Sequence, residues 1–144
     1  MMTGKILIAD DDLDLGEALA MRCEAAGLEC IVVDNAESAL LAVAGEHPDL
    51  VILDLIMPTP DGVSVFDILA TRYELAEVPV IILTGCEDDE TVRECQFLMA
   101  HYVHKGPNLW PRLRRVLSEY LSPGWNDEPA SSRRHETQLF GMLY

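Results

Sequence analysis

Short apolar runs alternate along this chain with stretches whose apolar residues recur every three or four positions. The runs are Ile6-Leu7-Ile8-Ala9, Ile31-Val32-Val33, Leu50-Val51-Ile52-Leu53, Val80-Ile81-Ile82-Leu83 and Tyr102-Val103. Unbroken apolar runs of this length, rich in β-branched residues, predict strands buried on both faces. The bounds expected are Lys5 to Asp10, Glu29 to Val33, Leu50 to Asp54, Pro79 to Gly85 and His101 to His104.

Between them lie helical periodicities. Leu15, Ala18, Leu19, Arg22, Cys23 and Ala26 form one mostly apolar stripe, with Asp12 as a candidate N-cap and Gly27 as the stop. Asn35 is placed to cap a second helix carrying Ala36, Ala39, Leu40 and Val43 to about Gly45. A third begins at Asp61-Gly62, buries Val65, Phe66, Ile68 and Leu69, and runs to about Tyr73. A fourth opens on the acidic turn Glu87 to Glu90 and carries Val92, Cys95, Gln96 and Met99. The last spans Leu109 to Leu121, with Leu113, Val116, Leu117 and Tyr120 on one face. Strict alternation of five strands with five helices predicts an α/β fold: a doubly wound, five-stranded parallel sheet with helices on both faces.

In such a sheet ligands bind at the C-terminal ends of the strands. Here the first strand runs into Asp10-Asp11-Asp12, the third ends in Asp54, the fourth in Thr84, and Lys105 follows the fifth. Prolines and a glycine at Pro58, Pro60 and Gly62 prevent the third strand from continuing beyond Asp54. Carboxylates gathered on one edge need a positive partner, and a hard divalent cation with oxygen ligands, Mg²⁺ above all, is the economical one. Asp12 and Asp14 are assigned to the start of the first helix rather than to the ion.

Composition narrows the function. The chain has 144 residues and a formal charge of −15, which argues against direct binding of nucleic acid by this chain. No run approaches the ~20 apolar residues of a membrane span, and the N-terminus lacks the basic and apolar regions of a signal peptide. A cytoplasmic protein is expected. Cys23, Cys30, Cys86 and Cys95 form no C-x-x-C pair and fit no zinc spacing, so reduced thiols are expected. His47, His101 and His104 are read as structural. Beyond Leu121 the composition shifts to Pro123-Gly124 and a polar stretch, ending in Leu139-Phe140-Gly141-Met142-Leu143-Tyr144. The expected organisation is a domain over residues 1–121 and a linker or C-terminal tail over 122–144.

Asp10, Asp11, Asp54, Met57-Pro58, Gly62, Thr84 and Lys105, in this order at successive strand ends, resemble the receiver domain of two-component response regulators. The resemblance covers roughly residues 4 to 121 and implies a flavodoxin-like (βα)5 fold. It implies that Asp54 is the phosphoacceptor, forming an aspartyl phosphate with Mg²⁺ as cofactor. Asp11 would be a direct Mg²⁺ ligand, Asp10 would act through water, and Asp54 and the Ile56 backbone carbonyl would complete the protein ligands. Lys105 would pair with the phosphoryl oxygens, a task suited to a compact ammonium. Thr84 would hydrogen-bond a phosphoryl oxygen, and Tyr102 would swing inward with it. That motion would repack the face made by the fourth helix, fifth strand and fifth helix.

The implied partners are a sensor histidine kinase or phosphotransfer protein, and a second copy of the chain through that same face. The implied role is a phosphorylation-dependent signalling switch, with at most slow autophosphorylation and autodephosphorylation. Its expected setting is the receiver portion of a transcriptional response regulator; the alternative is a stand-alone receiver working by protein–protein interaction or phosphorelay. Two positions depart from the family pattern. The usual Lys-Pro pair, commonly cis, is Lys105-Gly106 here with Pro107 next; a cis bond before Gly106 would cost about 2.5–4 kcal/mol, so trans is expected. Leu98-Met99 replaces the usual Gly-Ala pair.

Three other readings compete. A Mg²⁺-dependent phosphatase with an aspartate nucleophile would carry a second Asp two residues on, where this chain has Ile56. A flavodoxin-like mononucleotide binder would need a Ser/Thr/Gly loop after the first strand, where this chain has three aspartates. A receiver-shaped module that is never phosphorylated would have no use for Asp11, Asp54, Thr84 and Lys105 together.

Overall fold

The computed structural model describes residues 3–54, 57, 78–85, 93 and 101–121. Five strands appear where the apolar runs place them: β1 (Lys5–Ala9), β2 (Glu29–Val33), β3 (Leu50–Asp54), β4 (Val80–Thr84) and β5 (His101–His104). All pair in parallel, in the order β2-β1-β3-β4-β5. β3 is buried at all five positions, as expected of a strand covered on both faces. Three helices are described: α1 (Leu13–Ala25), α2 (Ala36–Glu46) and α3 (Leu109–Tyr120). The helices expected between Gly62 and Tyr73 and between Glu87 and Met99 lie, apart from Arg93, outside the described residues, as do Ile56, Cys86, Cys95 and the tail.

Strand periodicity divides the core in two. Ile6, Ile8, Leu50, Ile52, Ile81, Leu83 and Val103 face α1 and α3, meeting Leu19, Cys23, Trp110, Leu113 and Leu117. Leu7, Ala9, Val51, Leu53 and Ile82 face the other way, onto Ala36, Ala39 and Val43 of α2. Each strand thus buries alternate side chains on opposite faces. α1 and α2 start where the caps place them. Asp12 Oδ1 accepts from the Leu15 N–H at 3.1 Å, and Asn35 Oδ1 from the Ser38 N–H at 2.8 Å. Past α1 the chain turns at Gly27, whose φ of 102° is a conformation that favours glycine.

α3 is built differently. Its N-cap, Asn108, has φ 64° and makes no side-chain capping hydrogen bond. No peptide bond among the described residues is cis, so Lys105-Gly106 is trans as expected. Cys23 and Cys30 are free thiols, the first fully buried. Contact with Cys30, then burial, pushes the Cys23 thiol well up from its ordinary pKa. Among the described residues no helix is long and apolar enough to cross a membrane.

Candidate functional site

Parallel register decides which side chains meet. Ala9 of β1 stands beside Leu53 of β3, so the next residues, Asp10 and Asp54, leave the sheet side by side. Asp54 is paired with Leu83, which puts Thr84 one step further along β4. Thr84 in turn is paired with His104, so Lys105 emerges next to it. The Lys105 N–H donates to the Thr84 carbonyl at 2.8 Å, extending the ladder into the loop. These residues come from distant parts of the chain but from one edge of one sheet.

Three carboxylates gather there. One oxygen each from Asp10, Asp11 and Asp54 lies within 4.8 Å of the others. Asp10 and Asp54 are buried, at 1% and 5% exposure, whereas Asp11 is exposed. Asp10 Oδ1 accepts from the Asp12 N–H at 2.8 Å, which orients the carboxylate. Asp10 Oδ2 faces Lys105 Nζ at 2.8 Å, an ion pair without hydrogen-bond alignment. Lys105 Nζ donates its hydrogen bond to Asp54 Oδ2 at 3.3 Å. Burial works against the Lys105 ammonium, but the two carboxylates outweigh it and hold its pKa above the usual lysine value. Thr84 is fully buried at the same edge.

The donor set fits a hard divalent cation. It offers only carboxylate oxygens, and one face of it, at Asp11, opens to solvent. Three carboxylates against one ammonium leave two formal negative charges, which a divalent ion balances.

The residues singled out from the sequence are therefore together: Asp10, Asp11, Asp54, Thr84 and Lys105 share one edge. Tyr102 lies two residues back from His104, beside Ile82, half-buried against the α2 side of the sheet. It lines a groove of about 310 Å³ with Val103, His104, Arg112, Arg115 and Val116. Ile56 lies outside the described residues. Arg112 is the residue that sequence reading missed: its guanidinium donates to carbonyls of the loop that carries Lys105. An arginine in the first turn of a helix, where the macrodipole disfavours a cation, is the signal that could have found it.

Comparison with known proteins identifies the family. The chain is 32% identical over 133 residues to the phosphate regulon transcriptional regulatory protein PhoB of Pseudomonas aeruginosa, covering 89% of this chain and 58% of that protein. It is 42% identical over 81 residues to the probable transcriptional regulator ycf27 of Pyropia yezoensis, covering 56% of this chain and 32% of that one. This chain thus spans little more than half of the first relative's length and about a third of the second's. Among solved structures, the receiver domain of a Francisella response regulator superposes with a TM-score of 0.69 at 28% identity, over 81% of this chain and 96% of that one. The response regulator receiver domain model matches residues 6–109, a span that takes in all five residues at the acidic edge together with Tyr102. With that match, the chain belongs to the family of response regulator receiver domains.

Proposed function

We propose that this chain is a phosphorylation switch whose acceptor is Asp54. The observation that carries the reading is the position of Lys105 Nζ, 3.3 Å from Asp54 and 2.8 Å from Asp10, among three converging carboxylates. An aspartate attacking a phosphoryl group must approach negative oxygens, and a fixed ammonium lowers that repulsion. An Asp54 carboxylate oxygen forms the new bond to phosphorus, and the bond from phosphorus to the donor's leaving group breaks with its electron pair. Lys105 neutralises charge on the transferred oxygens. Asp10 holds Lys105 in place through their ion pair, and the Thr84 hydroxyl is within the same edge to bind a phosphoryl oxygen.

Asp10, Asp11 and Asp54, with the Ile56 carbonyl, are the groups that would hold Mg²⁺. When bound, the ion supplies further charge neutralisation at the transferred group. A histidine kinase or a phosphotransfer protein is the proposed donor. Tyr102 and the groove beside it are the proposed route to the output face, which a second copy of the chain would use for dimerisation. The proposed receiver unit is residues 1–121, with 122–144 as a linker or tail. The first relatives are transcriptional regulators longer than this chain, which supports an output in transcription rather than turnover of a small substrate. The proposed setting is cytoplasmic, and the formal charge of −15 supports a chain that does not itself bind nucleic acid.

The test is incubation with acetyl phosphate and Mg²⁺, followed by intact-mass measurement and mapping of the added mass. One phosphoryl group on Asp54 is expected, and none on Asp54→Asn. Labelling of that variant at the wild-type level would overturn the assignment.

A further inference from the structure

The loop from His104 to Asn108 carries Lys105, the cation described at the acidic edge, and its proline, Pro107, stands two residues beyond that lysine. Gly106 follows Lys105 directly, and glycine leaves the backbone more freedom than any other residue. α3 starts at Asn108 without a side-chain cap. What holds the loop is Arg112. Its Nη2 donates to the His104 carbonyl at 2.8 Å and to the Pro107 carbonyl at 3.1 Å, and its Nε donates to the Asn108 carbonyl at 3.2 Å. The guanidinium thus ties the residue before Lys105 to the two residues at the start of α3.

The His104 contact matters most. The His104 carbonyl and the Lys105 N–H belong to one planar peptide unit. Its N–H donates to the Thr84 carbonyl at 2.8 Å, and its C=O accepts from Arg112. The unit is held on both sides, and the Lys105 side chain leaves from it. Gly106 also packs on the His104 ring, where an added Cβ would lie 3.2 Å from Nδ1. The loop therefore has little room on that side.

From these contacts we infer that Arg112 is a positioning residue for Lys105, fixing the peptide from which the ammonium reaches Asp10 and Asp54. The inference rests on the phosphoacceptor reading above. A planar fork with five donors can serve three carbonyls at once, whereas a lysine ammonium on a flexible stem cannot hold all three in the same geometry. Arg112 does not touch the reacting atoms. Its effect passes through the lysine, and that is what separates it from a residue that merely supports the fold.

The experiment is a double-mutant cycle on the rate of acetyl phosphate labelling with Mg²⁺, using the whole chain. In the wild-type background Arg112→Met should slow labelling about tenfold, the scale of a small misplacement of a group at the reacting centre. Arg112→Lys should fall between, and it carries the test alone should Arg112→Met fail to fold. In the Lys105→Met background either Arg112 substitution should change the rate by less than about twofold, because the residue it positions is gone. Hydrogen exchange at the Lys105 amide should quicken in both Arg112 variants. Wild-type labelling rates in the Arg112 variants would overturn the inference. So would an equal slowing in both backgrounds, which would make Arg112 a support of the fold alone. If the wild-type chain takes no phosphoryl group at all, the phosphoacceptor reading fails and this inference falls with it.

Discussion

Removing the Lys105 ammonium tests the electrostatics of the site independently of phosphorylation. In Lys105→Met, Asp10 and Asp54 stay buried but lose the charge that stands 2.8 and 3.3 Å from them. At an effective dielectric constant of about 20, contacts at these distances are worth roughly 5–6 kcal/mol each before desolvation is counted. Lys105 is 23% exposed in its side chain, so water screens part of that attraction, and bringing the ammonium into the site costs part of the rest. Breaking a buried ion pair by removing one partner costs about 3–5 kcal/mol, and the partial exposure places this case at the lower end. A loss of about 3 kcal/mol is expected in the absence of divalent ions. With a urea m-value of ~2 kcal/mol/M, the unfolding midpoint should fall by about 1.5 M.

The assay is urea unfolding in EDTA, followed by far-UV circular dichroism and by the fluorescence of Trp110, which is fully buried. Repeating it in excess Mg²⁺ adds a second, signed expectation. Removing the ammonium lowers the local formal charge from −2 to −3, so Mg²⁺ should raise the midpoint of the variant by more than that of the wild type. An unchanged midpoint in EDTA would refute the claim that Lys105 neutralises a buried acidic pair. Equal responses to Mg²⁺ in the two proteins would refute the claim that the cation and the ammonium share one cluster.

Other expectations follow from the same contacts. Beryllofluoride with Mg²⁺ should shift the NMR signals of Thr84 and Tyr102 in the wild type, and in Thr84→Ala the Tyr102 response should be lost while Asp54 still labels. Asn35→Ala removes the acceptor of the Ser38 N–H and should cost about 1 kcal/mol in urea unfolding, with no effect on labelling. Gly106→Ala must displace the His104 ring, 3.2 Å from the new Cβ. That strain opposes the ~0.4–1 kcal/mol gained by restricting the unfolded chain, so stability should change by less than about 1 kcal/mol, while the His104 ring resonances move.

Much of this protein was legible along the chain. Unbroken apolar runs bounded by turn residues located the strands, because a strand covered on both faces takes its polar residues at the ends. Asp12 and Asn35 announced the starts of α1 and α2, since a side-chain oxygen two or three residues before a free N–H is a local arrangement. The acidic, hydroxyl and lysine residues could be placed on one edge once the strands were taken as parallel. The parallel register then brought them to the same edge, Thr84 and Lys105 each a step further along than the residue before.

What the tertiary structure decided is how those groups share their charges. Asp10 and Asp54 are 44 positions apart, and nothing local states that one ammonium lies between them, closer to Asp10 and hydrogen-bonded to Asp54. The sheet order β2-β1-β3-β4-β5 is likewise non-local, set by which faces the crossovers cover. Along the chain little sets Arg112 apart from Arg115, and its three carbonyl contacts are what distinguish it. Sequence periodicity reports which face of an element is apolar. The direction in which a long, charged side chain reaches depends on the backbone acceptors that folding brings to it.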